Sequence, residues 1–484
     1  DPEMSRGLGD VYKRQIYYIF MLLCCSLIAG CGSDDPIQEP DPGPGPNPNP
    51  GQPTEKAYYI SPTGSDDNVG TASAFPFKSF DRILTVIKPG DIINVMPGTF
   101  SANGKPIIDL LPEHSGEADK YITIKAYDPS NKPVLFAAGN NVWNAININA
   151  SYIIVDGLEL AGDNARIDSL EAYNNAYLHK YNAGAVNWGK TANFNTNGLS
   201  IGGTGKTSKR PDHIIVRNCI VHDFPGGGLN AIQADYITFE NNVVYNNSWY
   251  TMYGCSGISI LTPVDNDNNT DYKIIIRNNI SYNNRTKIPW VNTAGFTLSD
   301  GNGIIIDVNN TPDANGVAVD EGPYKGRTLV ENNVSFNNGG SGIHSFKANH
   351  VDIINNTAYH NTWKYESDYA EIWTNNCNDV NIVNNIMYAR SKGNCNMKTR
   401  NATEKYEYNL YFNGKVNTTG EHDKTADPLF VNLSVDGDVA DFHLRAGSPA
   451  IGHGTRKSYM SGVDIEGNSR ATRVDVGAYQ RVGE

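Results

Sequence analysis

Basic charge is scarce in this sequence: 39 Lys and Arg stand against 52 Asp and Glu over 484 residues, a net charge of −13. Binding nucleic acid without sequence preference needs a cationic surface, so DNA and RNA are excluded as general partners. Long apolar runs are scarcer still. The longest, IYYIFMLLCCSLIAG at 16–30, has 15 residues, short of the ~20 that span a bilayer, and a multi-span membrane protein is excluded. Cysteine is sparse, and the four in the body (Cys219, Cys255, Cys377 and Cys395) have no zinc-ligand spacing. Cys377 and Cys395 either meet across neighbouring turns of the chain or remain buried thiols; the sequence leaves both open. What is abundant is Asn, with 59 residues, and Gly, with 47. Both are poor in helices and good in turns, which excludes a helical bundle and points to a fold that turns tightly many times.

Residues 1–15 read as translated adapter sequence and are set aside from fold reasoning. Lys13 and Arg14 then precede the apolar run, which ends in Leu27-Ile28-Ala29-Gly30-Cys31. A charged start, a short apolar core and small residues before a Cys resemble the bacterial lipobox. That resemblance implies lipidation at Cys31 and a membrane anchor; the alternative is an ordinary signal peptide with a chance Cys. Ser33-Asp34-Asp35 resembles the signal that sends some Gram-negative lipoproteins to the cell surface. The expected organisation is a leader over 1–31, a Pro/Gly-rich linker over 32–55, and one domain over 56–484 with a C-terminal capping region from about 396. In the linker, alternate prolines favour a semi-rigid polyproline II stalk.

Beyond residue 55 the chain repeats itself. HIIVRNCIVHDF (213–224), YITFENNVVYNN (236–247), KIIIRNNISYNN (273–284), RTLVENNVSFNN (327–338), HVDIINNTAYHN (350–361) and NDVNIVNNIMYA (378–389) share a strand, an Asn pair and a second short strand. Aligning Asn218, Asn242, Asn279, Asn333, Asn356 and Asn385 predicts an Asn ladder at one bend. A second set of strands carries Leu199, Leu229, Ile258, Ile304, Ile343 and Ile372 at one position. Side chains alternate between faces of a strand, so these six form an interior aliphatic ladder. The next residue of each (Ser200, Asn230, Ser259, Ile305, His344, Trp373) then points outward. The pattern predicts an all-β right-handed parallel β-helix, with a short amphipathic helix within 76–91 capping its N-terminal end and 426–480 closing the other. The runner-up, a propeller, needs ~40 residues per blade, whereas the shortest repeats here have 23 and 24.

The opening YYISPTGSDDNVGTASAFPFKSFDRILTVIKPGDIINVMPGTF, the coils, and the closing DPLF…DFHL…GSPA…DVGAY resemble bacterial right-handed β-helix proteins related to polysaccharide lyases, over about 57–480. The resemblance implies action on carbohydrate polymers, especially uronic-acid polysaccharides such as pectin. The pattern of family nine pectate lyases has a carboxylate-rich calcium coil and a G-N-G-F-K coil with a lysine base. The coils here read Cys255-Ser256-Gly257-Ile258-Ser259 and Gly301-Asn302-Gly303-Ile304-Ile305, so the carboxylates and the lysine are missing, and those sites do not carry over.

Insertions mark the working face of a solenoid. Those at 164–196, 248–255, 261–272, 285–301 and 308–326, with the chain after 361, carry Trp249, Tyr253, Trp290 and Trp363, whose flat faces suit the C–H faces of sugars or else fasten the loops. Glu371 and Trp373 are expected in the same groove as substrate contacts. Asp300 and Asp307 bracket a strand and could supply oxygens to calcium, or serve local turns. His344 and Lys347 lie on the following coil as candidate proton acceptors. The expected function is a surface polysaccharide lyase cleaving a uronic-acid polymer by β-elimination, monomeric, with calcium as a possible cofactor. A glycoside hydrolase using Asp300, Asp307 or Glu371 and a non-catalytic glycan binder are the alternatives.

Overall fold

The computed structural model of the protein describes residues 56–483, apart from 140, 204–209, 311–312, 315–316, 319–322, 364–367 and 401–402. The leader, Cys31 and the linker lie outside the described residues. The chain winds as a right-handed parallel β-helix. Each turn visits a first sheet, a second and a third, as in Asp235–Glu240, Val243–Tyr245 and Ile258–Leu261. The first and second sheets have eleven strands each and the third has ten, all parallel to their neighbours. Among the described residues no helix is long and apolar enough to cross a membrane.

The aliphatic ladder stands in the third sheet, in the expected register. Leu199, Leu229, Ile258, Ile304, Ile343 and Ile372 pair in sequence, preceded by Ile108 and Ile146, and all are sealed from solvent. Burying such a side chain stabilises by ~1.5–3 kcal/mol, so the stack is a main source of cohesion. The outward positions differ from expectation. Ile305 is 4% exposed and His344 6%, so this face is not open to solvent at those positions.

Two Asn ladders run along the middle and later coils. At the corner between the first and second sheets, the amide oxygens of Asn242, Asn279, Asn333, Asn356, Asn385 and Asn409 each accept the backbone N–H of the preceding rung at 2.8–3.0 Å. The ladder begins at the N–H of Cys219, not at Asn218 as the alignment proposed. Asn218 belongs one residue earlier, with Asn241, Asn278, Asn332, Asn355 and Asn384, in the left-handed region at φ 53–59°. Asn tolerates that conformation better than most residues, hence the Asn pair. A second ladder, Asn247, Asn284, Asn338 and Asn361, occupies the next corner. Each ladder ends on a carboxylate: Asp423 accepts from Asn409 at 2.7 Å, and Glu371 accepts from Asn361 at 2.9 and 2.5 Å.

At the N-terminal end the helix Phe80–Leu84, capped by Ser79, buries Phe80 and Ile83 against the opening strands. At the other end regular strands continue past 396 to Lys424–Thr425. The segment after them was expected to close the end of the stack. It instead turns back along the outer side of the second sheet. Phe430, Phe442, Leu444, Val476 and Ala478 cover Tyr282, Phe336, Tyr359 and Tyr388 there. Asn332 and Asn337 tie it down by donating to the carbonyls of Val463 and Val435 at 3.0 and 3.3 Å.

Candidate functional site

The insertions 162–196, 248–257 and 285–303 each lead into a strand of the third sheet. They pack together through Ala172, Ala176, Phe194, Met252, Ile288 and Val291, a small core separate from that of the coils. The helix Ser169–Tyr181, whose first turn is capped by the Asp168 carboxylate, braces this lobe. The lobe thus lines the entry edge of the strands that carry the candidate residues.

Asp300 precedes the strand Ile304–Asp307, and Asp307 is its last residue. Ser299 Oγ donates to Asp300 Oδ2 at 2.9 Å, and Asn302 Nδ2 to its Oδ1 at 3.3 Å. Burial raises the Asp300 pKa against those two bonds. Asp307 Oδ1 is buried without a partner among the described residues. Burial, with the Asp300 charge adding and the Lys347 ammonium opposing, pushes the Asp307 carboxyl up to about 8. Lys347 stands at the corner of the following coil with φ 47°, its amide donating to the Asn375 carbonyl at 2.7 Å. Thr262, Val308 and Asn376 share that left-handed conformation, so it belongs to the corner and not to the lysine.

No group of three or more His, Cys, Asp or Glu side chains suited to a metal occurs among the described residues. Asp307 keeps an unpartnered buried oxygen near the Asp300 charge, but two carboxylates fall short of the six to eight oxygens calcium takes. Asn302 is not free to add one, since its Oδ1 accepts from the Ser341 N–H at 2.8 Å.

His344 points outward, in register with Ile305 and Trp373 as expected, but it is not open to a ligand. Its ring stacks on Trp373 at 4.3 Å, and Tyr369 closes over both. Neither ring nitrogen has a partner among the described residues, and burial pushes the pKa down to about 3. Glu371 is not in the groove either. It occupies the position held by Gly257, Gly303 and Gly342 in earlier coils, where a Cβ would press on the ladder Asn of the same or the next coil. Where the Asn ladder stops, its carboxylate replaces the missing rung. That burial pushes it up to about 8, with hydrogen bonds from Asn361 and the charge of Arg390 opposing.

The expected sugar-binding aromatics separate into two kinds. Trp249 donates to the Asn283 carbonyl at 3.1 Å and carries the Lys287 ammonium over its face; Tyr253 and Trp290 pack on the lobe core. These fasten loops. Trp363 is 41% exposed, and Trp373 is half-buried with its indole N–H on Thr399 Oγ1 at 3.2 Å. Sequence reading missed Tyr369, which lies by Ser299 and Asp300 with its hydroxyl raised to about 12, first by burial and then by the Asp300 charge. It also missed the exposed row Tyr173, Tyr177 and Tyr181, whose spacing of four was the available signal.

No family model matches the chain. It is 24% identical to pectate lyase L of Dickeya dadantii (strain 3937) over 334 residues, 64% of this chain and 67% of that one. Among solved structures, pectate lyase Pel9A is 18% identical with a TM-score of 0.49, covering 89% of this chain and 98% of that chain. The alginate lyase of Paenibacillus sp. str. FPU-7 is 15% identical with a TM-score of 0.38, covering 71% and 95%.

The four body cysteines are all free thiols. Cys377 donates to the Ser345 carbonyl at 3.1 Å and Cys395 to that of Phe412 at 3.3 Å, so the two do not pair.

Proposed function

We propose that this protein is a polysaccharide lyase that cleaves a uronic-acid-containing polymer by β-elimination and is displayed on the outer membrane through lipidated Cys31. The observation that carries the reading is that Asp300, Asp307 and Lys347 lie within Coulombic reach of one another around the strand Ile304–Asp307, with Tyr369 beside Asp300. The distant similarity to pectate lyase L supports it.

In this reading the Lys347 amine, when unprotonated, accepts the proton α to the uronate carboxyl. The electron pair forms a C=C bond as the bond to the leaving sugar oxygen breaks. In the same reading Tyr369, whose hydroxyl burial keeps protonated, would return a proton to that oxygen. Asp300 and Asp307 would hold calcium, whose charge would draw electrons from the substrate carboxylate and reconcile an acidic protein with an acidic polymer.

A purified chain incubated with polygalacturonate and alginate should develop ultraviolet absorbance from the new C=C bond. Lys347→Ala should lower kcat ~100-fold, and chelation should abolish turnover until calcium is returned. New reducing ends without that absorbance would instead favour a glycoside hydrolase. The coupled carboxyls Asp300 and Asp307, one held near neutral pH, are the observation on that side. Cys31→Ala should release the protein from membranes; unchanged partition would remove the anchor from the reading.

A further inference from the structure

Two arginines at the corner between the second and third sheets have no carboxylate to answer them. Arg285 Nε and Nη2 donate to the Asn337 carbonyl at 3.3 Å each. Arg390 Nη2 donates to Asn337 Oδ1 at 3.1 Å and to the His360 carbonyl at 2.6 Å, and its Nε to the Asn361 carbonyl at 3.0 Å. Every acceptor is neutral. Arg217, Arg277 and Arg327 each pair with an Asp or Glu, but neither Arg285 nor Arg390 makes an ion pair among the described residues. Glu371 lies within Coulombic reach of Arg390, yet its carboxylate is engaged by Asn361.

Like charges held together without a counter-charge are unfavourable. Burial first, and then the Arg390 charge, pull the Arg285 pKa down to about 10. The Nη1 groups of both arginines are left without a protein acceptor among the described residues. Beside them lies the exposed Trp363 ring, 4.5 Å from Arg285 Cζ.

We infer that Arg285, Arg390 and Trp363 form a subsite for an anionic sugar, in which the guanidinium groups bind a carboxylate or sulfate ester and the indole lies against the sugar ring. The inference rests on the acidic-polysaccharide reading for the polymer that carries the anion, but not on its cleavage. It also answers how a chain of net charge −13 would engage such a polymer: through a local cationic point on an acidic surface.

The test is calorimetric binding of the full chain to polygalacturonate, to its fully methyl-esterified form and to a sulfated galactan. The acidic polymers should bind more tightly than the ester. Arg285→Gln, whose side chain hydrogen-bonds only to the Asn337 carbonyl and lies over the Trp363 ring, should lower acidic-polymer affinity about tenfold, and the double variant with Arg390→Gln further. Ester binding should change little, while Trp363→Ala should weaken all three. Thermal melts of the variants check that they fold. Loss confined to polygalacturonate identifies a carboxylate as the anion; loss confined to the galactan identifies sulfate. Undiminished acidic-polymer binding in a folded Arg285→Gln variant and in the double variant, or no preference for acidic polymers in the unmodified chain, overturns the subsite. If variants lose binding while the unmodified chain makes no unsaturated product, the subsite stands and the lyase reading falls.

Discussion

His222 shows how one side chain ties stability to pH. Burial lowers its pKa, but the hydrogen bonds that its ring nitrogens donate to Asp223 at 2.7 Å and Glu159 at 3.3 Å more than reverse that, raising it to about 9. A His whose folded pKa lies above its unfolded value of ~6.5 contributes stability that is full below that pH and lost as pH rises through the folded value. Comparing urea midpoints, the unmodified chain should lose stability relative to His222→Gln between pH 6.5 and 9. Parallel curves would show that the imidazolium is not held in the folded state. Glu371 makes the opposite lesson about apparent function: an acid on the expected groove strand ends a hydrogen-bond ladder. Glu371→Gln presents an amide N–H to the Asn361 amide N–H, so denaturant titration should show a loss of ~1–3 kcal/mol. No loss would mean that the ladder needs no acceptor at its end.

Strand Ile304–Asp307 carries the core, the cover and the candidate chemistry in four residues. Ile304 faces the interior ladder and Ile305 the covered outer face. An unpaired carboxylate at either position is buried, but the consequences differ by face. Ile304→Asp should disrupt the coil and lower the global unfolding midpoint by more than ~3 kcal/mol equivalent. Ile305→Asp should loosen the insertion lobe first, seen as proteolytic cutting within 285–303 before global unfolding. Cutting at the same threshold in both variants would mean that lobe and coil unfold as one unit.

Across the whole molecule, the C-terminal segment replaces solvent on the outer side of the second sheet. Without it, the stacked rings of Tyr245, Tyr282 and Phe336 and the neighbouring Tyr359 and Tyr388 would form an exposed apolar strip. A chain ending at Thr425 should therefore aggregate or bind an apolar dye strongly, read by light scattering and fluorescence. A monodisperse, dye-silent truncation would show that the strip needs no cover. The ends and flank of the solenoid are handled separately: helix Phe80–Leu84 at the first coil, and the returning segment along the side.

The sequence by itself determined the coil. Strand alternation and the recurring Asn pair are short-range patterns, and stacking identical turns in register leaves the Leu/Ile positions nowhere to go but inside. Tertiary structure decided everything that depends on what lies against a turn. Asn218 and Asn242 look equivalent in sequence, but only the residue whose amide meets the next coil is a rung. His344 points outward by alternation, yet Tyr369 and Trp373 seal it, which no local pattern records. Arg285 and Arg390 lie 105 positions apart and become a pair only because several coils bring both to Asn337. Periodicity specifies which way a side chain points; burial, charge and partners follow from segments distant in the chain, and those set the chemistry.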